Sequence, residues 1–488
     1  MNIQFIKNKL AFNIKNYLAM TIGLLVIISI NSNSSHLKIF NDFVYKFDLN
    51  SSIIIFNTFR FLIPFFIFFI LMLITLINIK FFINQKHPLF LIILIFNFLF
   101  QLIVYKFNYL EFDIGYIQLA INCINFAILF FLSNIYDLKI FNKVLFYFTF
   151  FFLFIISIYF SINTLVYVLD KGQVYLYWTE ELSPTGHFIG QPNPRVTGLS
   201  KILVVYFVFH FFIFYQIHKN SMKKIFNYLI LFICIFFIYG MQTRGGLLGI
   251  FLFSLFYLIF IKEKLFNKLK KIILIIIIPM LFYEIVMNPL TKTVTKTVIK
   301  TVIKTNTPDS SNHYSKEIIT ENANRYYNKE DGLLLHNSGR VDLWKIGISE
   351  IKKKVIIFGL GPQGDRQIFE KIDVSSNLEI LEAIKWSKNI SNGILYAYLS
   401  GGLVGLILIS VIYILIIKEI VLAIFINSIF RKNSKKEIVS IFCLIYLCFR
   451  SIFENSFTVF STDYILLVIT FYNLYQFNLN SEIKFVKE

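Results

Sequence analysis

Four arginines, Arg195, Arg244, Arg340 and Arg450, lie at or near the ends of apolar runs in a chain otherwise poor in charge. A guanidinium there can do one kind of chemistry well. Its planar fork donates two parallel hydrogen bonds to phosphate or carboxylate oxygens. Arg244 sits between Thr243 and Gly245-Gly246, and glycines let a backbone approach a ligand or a neighbouring helix closely. Arg340 belongs to the stretch from His336 to Gly405, which opens with charge, glycine and Trp344 before entering an apolar segment. The structural alternative is that these arginines reach to lipid headgroups, or pair with carboxylates such as Glu454 and Asp463.

The elements that must position them belong to a membrane. Of 488 residues, 57% are hydrophobic and 15% charged. Soluble domains run at about 45–50% and about 25%, so the chain is expected to be an all-α polytopic membrane protein. The formal charge of +19 does not point to nucleic acid, because much of the excess lies in short loops between apolar runs. Cys123, Cys234, Cys443 and Cys448 all fall inside apolar runs without metal-ligand spacing, as small hydrophobes do.

An apolar run from Tyr17 to Ile30 follows Lys7, Lys9 and Lys15 and shows no clear small-x-small cleavage site, so a retained first helix is expected. Further spans are expected at about 53–79, 88–104, 114–132, 141–162, 199–217, 225–240, 245–261, 271–287, 391–417, 438–450 and 457–477. The total is about twelve transmembrane helices, several shorter than the usual ~20 residues, with 438–450 short enough to be partly re-entrant. With the N-terminus inside, the short cytoplasmic loops collect Lys80, Lys86, Lys139, Lys143, Lys219, Lys223, Lys224, the lysines of 262–271, and Arg431 to Lys436. Both termini are then cytoplasmic. The expected layout is N-terminal spans over 1–162, a periplasmic loop at 163–198, and central spans over 199–287. A large periplasmic loop at 288–390, C-terminal spans over 391–477 and a tail at 478–488 follow.

The large loop, roughly 100 residues and partly helical, opens with a four-residue near-repeat from Thr291 to Thr305. Its β-branched residues favour an extended spacer. Val341, Trp344, Ile348, Ile351 and Val355 recur at helical spacing, and an amphipathic helix is expected there. Gly359-Leu360-Gly361-Pro362 marks a turn, and Gly401, Gly402 and Gly405 suit close packing within an apolar helix.

Three segments in order resemble the O-antigen ligase and O-antigen polymerase superfamily of bacterial inner-membrane proteins. They are Gln242 to Leu248, then Ser338 to Trp344 with Phe358 to Pro362, then Ser391-Asn392 with Ser400 to Gly405. Arg450-Ser451 with Glu454 and Asp463 is similar to the family as well, and the resemblance covers about 190–475.

The resemblance implies a metal-independent glycosyltransferase with no cofactor, acting at the periplasmic face of the inner membrane. Its partners would be a polyprenyl-diphosphate-linked oligosaccharide, an acceptor glycan or lipid A core, membrane lipids and a chain-length regulator protein. An acceptor hydroxyl attacks the anomeric carbon and lipid diphosphate leaves. Arg244 and Arg340, assisted by Arg195 or Arg450, would bind the diphosphate. Ser391 stands where family ligases carry the histidine thought to activate the acceptor, beside Asn392. Serine is no base near neutral pH, and general-base help is worth about 10²–10⁴-fold. Candidate substitutes are His336, His187, Glu382 and Asp365. The missing histidine leans the expectation from ligase towards polymerase. A transporter or flippase of lipid-linked glycans, or a non-catalytic assembly partner, are the competing expectations; no convincing internal repeat supports the transporter.

Overall fold

The structure is a computed structural model. It describes residues 62–77, 79–80, 89–109, 139–170, 196–215, 221–287, 289–290, 344–345, 347–349, 357–361, 392–426, 434–454 and 462–485, with 21, 121, 124, 125, 128, 176 and 390 singly. The near-repeat from Thr291 to Thr305, and His187, Arg195, His336, Arg340, Asp365, Glu382 and Ser391, lie outside the described residues.

Among the described residues the fold is all-α, without a strand. In chain order the helices are α1 (Ile63–Ile77), α2 (Leu89–Tyr109), α3 (Lys139–Asp170), α4 (Val196–His210), α5 (Ser221–Gly240) and α6 (Arg244–Phe260). They continue with α7 (Leu265–Ile272), α8 (Gly393–Val421), α9 (Lys435–Ser451) and α10 (Thr462–Phe485). Short π-helical turns extend α4, α7 and α8. Among the described residues, the stretches Leu145–Val166, Gly198–Tyr215, Met222–Gly240 and Gly393–Phe425 are long and apolar enough to cross a membrane. Helix α3 runs on to Asp170, beyond the apolar span expected to end near 162.

Helix α4 lies at the centre. It is apolar all round, which marks a helix surrounded by others, and Leu203 to Phe212 are all buried. Phe209 stacks on Phe150 of α3 at 4.5 Å, and Phe207 meets Phe253 of α6 edge-on at 5.0 Å. Offset and edge-on rings of this kind add to the burial of their area. Helix α9 is equally enclosed, with Ile438 to Leu444 buried. That position explains its shortness and its polar residues: it faces protein rather than lipid, and it forms one unbroken helix. The outer faces are different. Phe66, Phe69, Phe251, Ile259, Ile285 and Ile414 are well exposed, an apolar surface suited to lipid tails.

Several polar side chains inside the bundle find their partners locally, as a medium without water favours. The hydroxyls of Thr149, Thr164 and Thr470 donate to carbonyls four residues back. His210 lies between the Tyr206 hydroxyl and the Asn227 amide oxygen, at 3.2 Å and 3.1 Å.

Helix α8 departs from the straight span expected at 391–417. Gly402 has φ 62 and ψ −152, far from helical values. In an unbroken helix, residues 393 and 413 would be about 30 Å apart. Here Gly393 abuts the Ser451 carbonyl while the Tyr413 hydroxyl bonds Ser451 Oγ. A Cβ on Gly405 would also collide with the carbonyl of Ala397, eight residues earlier. The first arm therefore folds back sharply at Gly402, and the second arm alone is long enough to span.

The loop at 357–361 closes this bend. Leu360 and Gly361 donate their N–H groups to the carbonyls of Leu399 and Ser400, each at 2.8 Å, and Val404 N–H donates to the Ile357 carbonyl at 3.3 Å. Two carbonyls of the first arm and one N–H of the second are thereby paired at the bend. Upstream, residues 344, 345 and 347–349 are helical as the spacing suggests. The packed face, however, is Trp344 and Gly347, not Ile348, which is exposed. Gly347 lies directly under the Ile390 side chain, and Trp344 Nε1 donates to the Ile390 carbonyl at 2.7 Å. A glycine at the contact lets the two backbones come together where a longer side chain would hold them apart.

Candidate functional site

The turn between α5 and α6 sets the first part of the site. Gln242 adopts φ 47, an uncommon value for a non-glycine residue that reverses the chain tightly. Thr243 then caps α6: its hydroxyl accepts from Gly246 N–H at 3.2 Å and donates to Ser200 Oγ of α4 at 2.6 Å. The following Arg244 is exposed, and no ion pair to a described residue engages it. The sequence TRGG thus places an exposed guanidinium at a helix N-terminus, where the helix dipole already favours anions.

Gly245 carries the link to the second part. A Cβ there would lie 3.5 Å from Nε of Arg450, and the Tyr446 hydroxyl donates to the Gly245 carbonyl at 3.0 Å. Arg450, at the end of α9, is buried and committed. Its Nη2 pairs with Glu454, and its Nη1 donates to Asp463 at the start of α10 at 3.2 Å. Asp463 also pairs with Lys201 of α4. Two cations and two carboxylates therefore balance within the bundle. The Glu454 side chain keeps 24% exposure, against 3–7% for the other three.

The third part is the start of α8. Asn392 caps this helix, its Oδ1 accepting from the N–H groups of Ile394 and Leu395 at 3.0 and 2.9 Å. Its Nδ2 donates to the Ile452 carbonyl at 3.0 Å, which ties α8 to the turn after α9. Gly393 is seated against Ser451 and lies 3.7 Å, measured from an added Cβ, from the Glu454 carbonyl.

The ends of α4, α6, α8, α9 and α10 thus meet at one end of the bundle. Of the residues singled out in the sequence, Arg244, Asn392 and Arg450 come together there. Arg195, His336, Arg340 and Ser391 lie outside the described residues. Sequence reasoning passed over Lys201, Ser200 and Tyr446. Lys201 carried a signal, being one lysine within the apolar helix VTGLSKILVVYFVFH. Among the described residues, no group of His, Cys, Asp and Glu could hold a metal ion.

Residues 229–410 match the family model described as O-Antigen ligase. That match supports a place for the chain in the O-antigen ligase superfamily. No curated protein matches it. The matched O-antigen ligase segment begins in α5, contains the α5–α6 turn with Arg244, and ends within the second arm of α8. The bend at Gly402 and the Asn392 cap are therefore parts of the matched segment, whereas Lys201, Arg450, Glu454 and Asp463 lie on or beside the flanking helices.

Proposed function

We propose that this protein transfers a glycan from a polyprenyl diphosphate carrier to an acceptor sugar hydroxyl, at the periplasmic face of the bacterial inner membrane. Arg244, with Arg340 and Arg195 from the two large loops, grips the diphosphate, and Arg450 assists from the bundle. The acceptor oxygen bonds to the anomeric carbon as the carbon–oxygen bond to the diphosphate breaks, its electron pair leaving with the phosphate. Fixed guanidinium groups stabilise that developing charge without reorganising, which is the largest lever available to such a site. The reaction needs no metal ion, and the 288–390 loop supplies the periplasmic part of the site.

One observation carries this reading: the exposed Arg244 stands at a helix N-terminus beside the Arg450 cluster, at the same bundle end as Asn392. Ser391 in place of the family histidine favours a polymerase that extends repeat units. The name of the matching family favours the second reading, ligation to lipid A core. A gel of surface lipopolysaccharide from a deletion strain, with its lipid-linked glycan pool, separates them. Core bearing a single repeat unit means polymerase. Bare core with long chains stranded on the carrier means ligase. Two normal profiles would reject both.

A further inference from the structure

At the end of the bundle away from Arg244 the chain gathers lysines. Helix α6 leads there, its 17 residues covering about 25 Å. Lys262 and Lys264 follow α6, Lys270 lies on α7, and Lys223 and Lys224 lie in the first turn of α5. All five are exposed, and no ion pair to a described residue engages them. The two groups adjoin. The Tyr228 hydroxyl, one turn after Lys224, donates to the carbonyl of Leu274, one turn after Lys270, at 3.1 Å. Glu263, the carboxylate among these lysines, is already engaged: it accepts from Lys271 Nζ at 2.6 Å and from the Tyr257 hydroxyl at 3.0 Å. Lys268 is turned inward too, donating to the Leu258 carbonyl at 2.6 Å.

These inward lysines pin α7 against the end of α6 and fix which face it turns outward. Leu269, Ile273, Ile277, Leu281 and Ile285 form an exposed row at every fourth position, running from α7 along the helical segment after it. Beside the lysines of α5, Met222, Ile225 and Phe226 are exposed as well. Further along, Phe232 of α5 meets Phe282 edge-on at 5.2 Å, so the two helices make one wall. Exposed ammonium groups therefore rim a continuous apolar surface. A ligand that matches both parts has an anionic head and long hydrocarbon chains.

We propose that this rim binds an anionic glycerophospholipid in the leaflet opposite Arg244. Its phosphate meets the lysines of α5 and α7, and its acyl chains follow the row from Leu269 to Ile285. Lysine suits the task, because its long apolar stem lies along hydrocarbon while its ammonium reaches the headgroup. Basic surfaces between membrane helices select anionic headgroups in this way. The bound lipid bridges α5 and α7 at the foot of the helix pair whose other end carries Arg244. The assignment does not depend on the transferase reading.

The test is thermal unfolding of purified full-length protein in uncharged detergent, titrated with phosphatidylglycerol, phosphatidylcholine or inorganic phosphate. Phosphatidylglycerol should raise the unfolding temperature at low salt and lose much of that effect at high salt. The other two should leave it unchanged. Replacing all five lysines with glutamine should raise the phosphatidylglycerol concentration that gives half the shift by at least about 10²-fold, whereas Arg244→Gln should respond as wild type does. Should the fivefold variant fail to fold, Lys264→Gln with Lys270→Gln should still weaken the response by about tenfold or more. Lysines that serve only to orient the chain would leave stability indifferent to lipid charge, so equal shifts with the two phospholipids overturn the proposal. An equal shift with inorganic phosphate means a plain anion site and overturns it as well. So does a phosphatidylglycerol response that survives in the lysine variants, or one that disappears in Arg244→Gln.

Discussion

Gly359 and Gly402 lie backbone against backbone: a Cβ built on either would run into the amide nitrogen of the other. Both have positive φ, 75 and 62. This contact joins the loop that follows Trp344 to the bend that folds the start of α8 back along the bundle. It fixes where Asn392 and Gly393 sit relative to α9, and so it builds the site from a distance.

Replacing Gly402 with alanine should loosen that joint. Its φ and ψ belong to a region almost reserved for glycine, with strain on the order of 1–3 kcal/mol for another residue, before the clash with Ile357 is counted. Gly401→Ala is the control, because a Cβ there meets nothing closer than 3.8 Å. Thermal unfolding in detergent should show a clear drop for Gly402→Ala and little change for Gly401→Ala. Equal midpoints would mean that the bend does not hold the fold.

Arg244 and Arg450 should fail in different ways. Arg244 is exposed and unpaired among the described residues, so truncating it should change stability by no more than about 0.5 kcal/mol while weakening lipid-linked substrate binding. Arg244→Lys should recover only part, since an ammonium cannot reproduce the two-pronged contact. Arg450→Ala leaves Asp463 and Glu454 short of a cation and should lower the unfolding temperature. Matched stability losses in both variants would contradict the division of roles.

Asp463 is the hinge of the buried charge cluster, shared by Lys201 and Arg450. Asp463→Asn keeps the shape and removes the charge both cations need. Breaking a buried pair of this kind costs about 3–5 kcal/mol. Double-mutant cycles with Lys201→Met would measure the coupling. An Asp463→Asn protein as stable as wild type would show that the pairing contributes nothing to the fold.

Much of this was legible in the sequence. The apolar runs at 88–104, 225–240 and 245–261 coincide with α2, α5 and α6, because a span announces itself by hydropathy alone. Arg244 also stood out locally, between Thr243 and two glycines that allow close approach, whereas the Thr243 cap emerged only in the structure. What the sequence hid depends on contacts between distant residues. Hydropathy runs unbroken through Gly393–Phe425, so nothing in apolar content marked the reversal at Gly402. Three nearby glycines suggested tight packing, yet only the partner loop at 357–361 shows that one of them turns the chain. Arg450 was weighed between ligand and carboxylate, and both Glu454 and Asp463 hold it. Lys201 escaped notice because its partner lies on another helix, 262 residues away in the chain.

The central claim is that the protein moves a glycan from a lipid diphosphate, using Arg244 and Arg340 to hold the leaving group. The most direct measurement incubates purified protein in lipid vesicles with polyprenyl-diphosphate-linked repeat units and follows chain length and released lipid diphosphate together. Wild-type protein should produce longer glycans and an equal amount of free carrier diphosphate, and Arg244→Ala and Arg340→Ala should lose both along with substrate binding. Wild-type protein that binds the lipid but neither lengthens the glycan nor releases the carrier, or arginine variants with undiminished turnover, would contradict it.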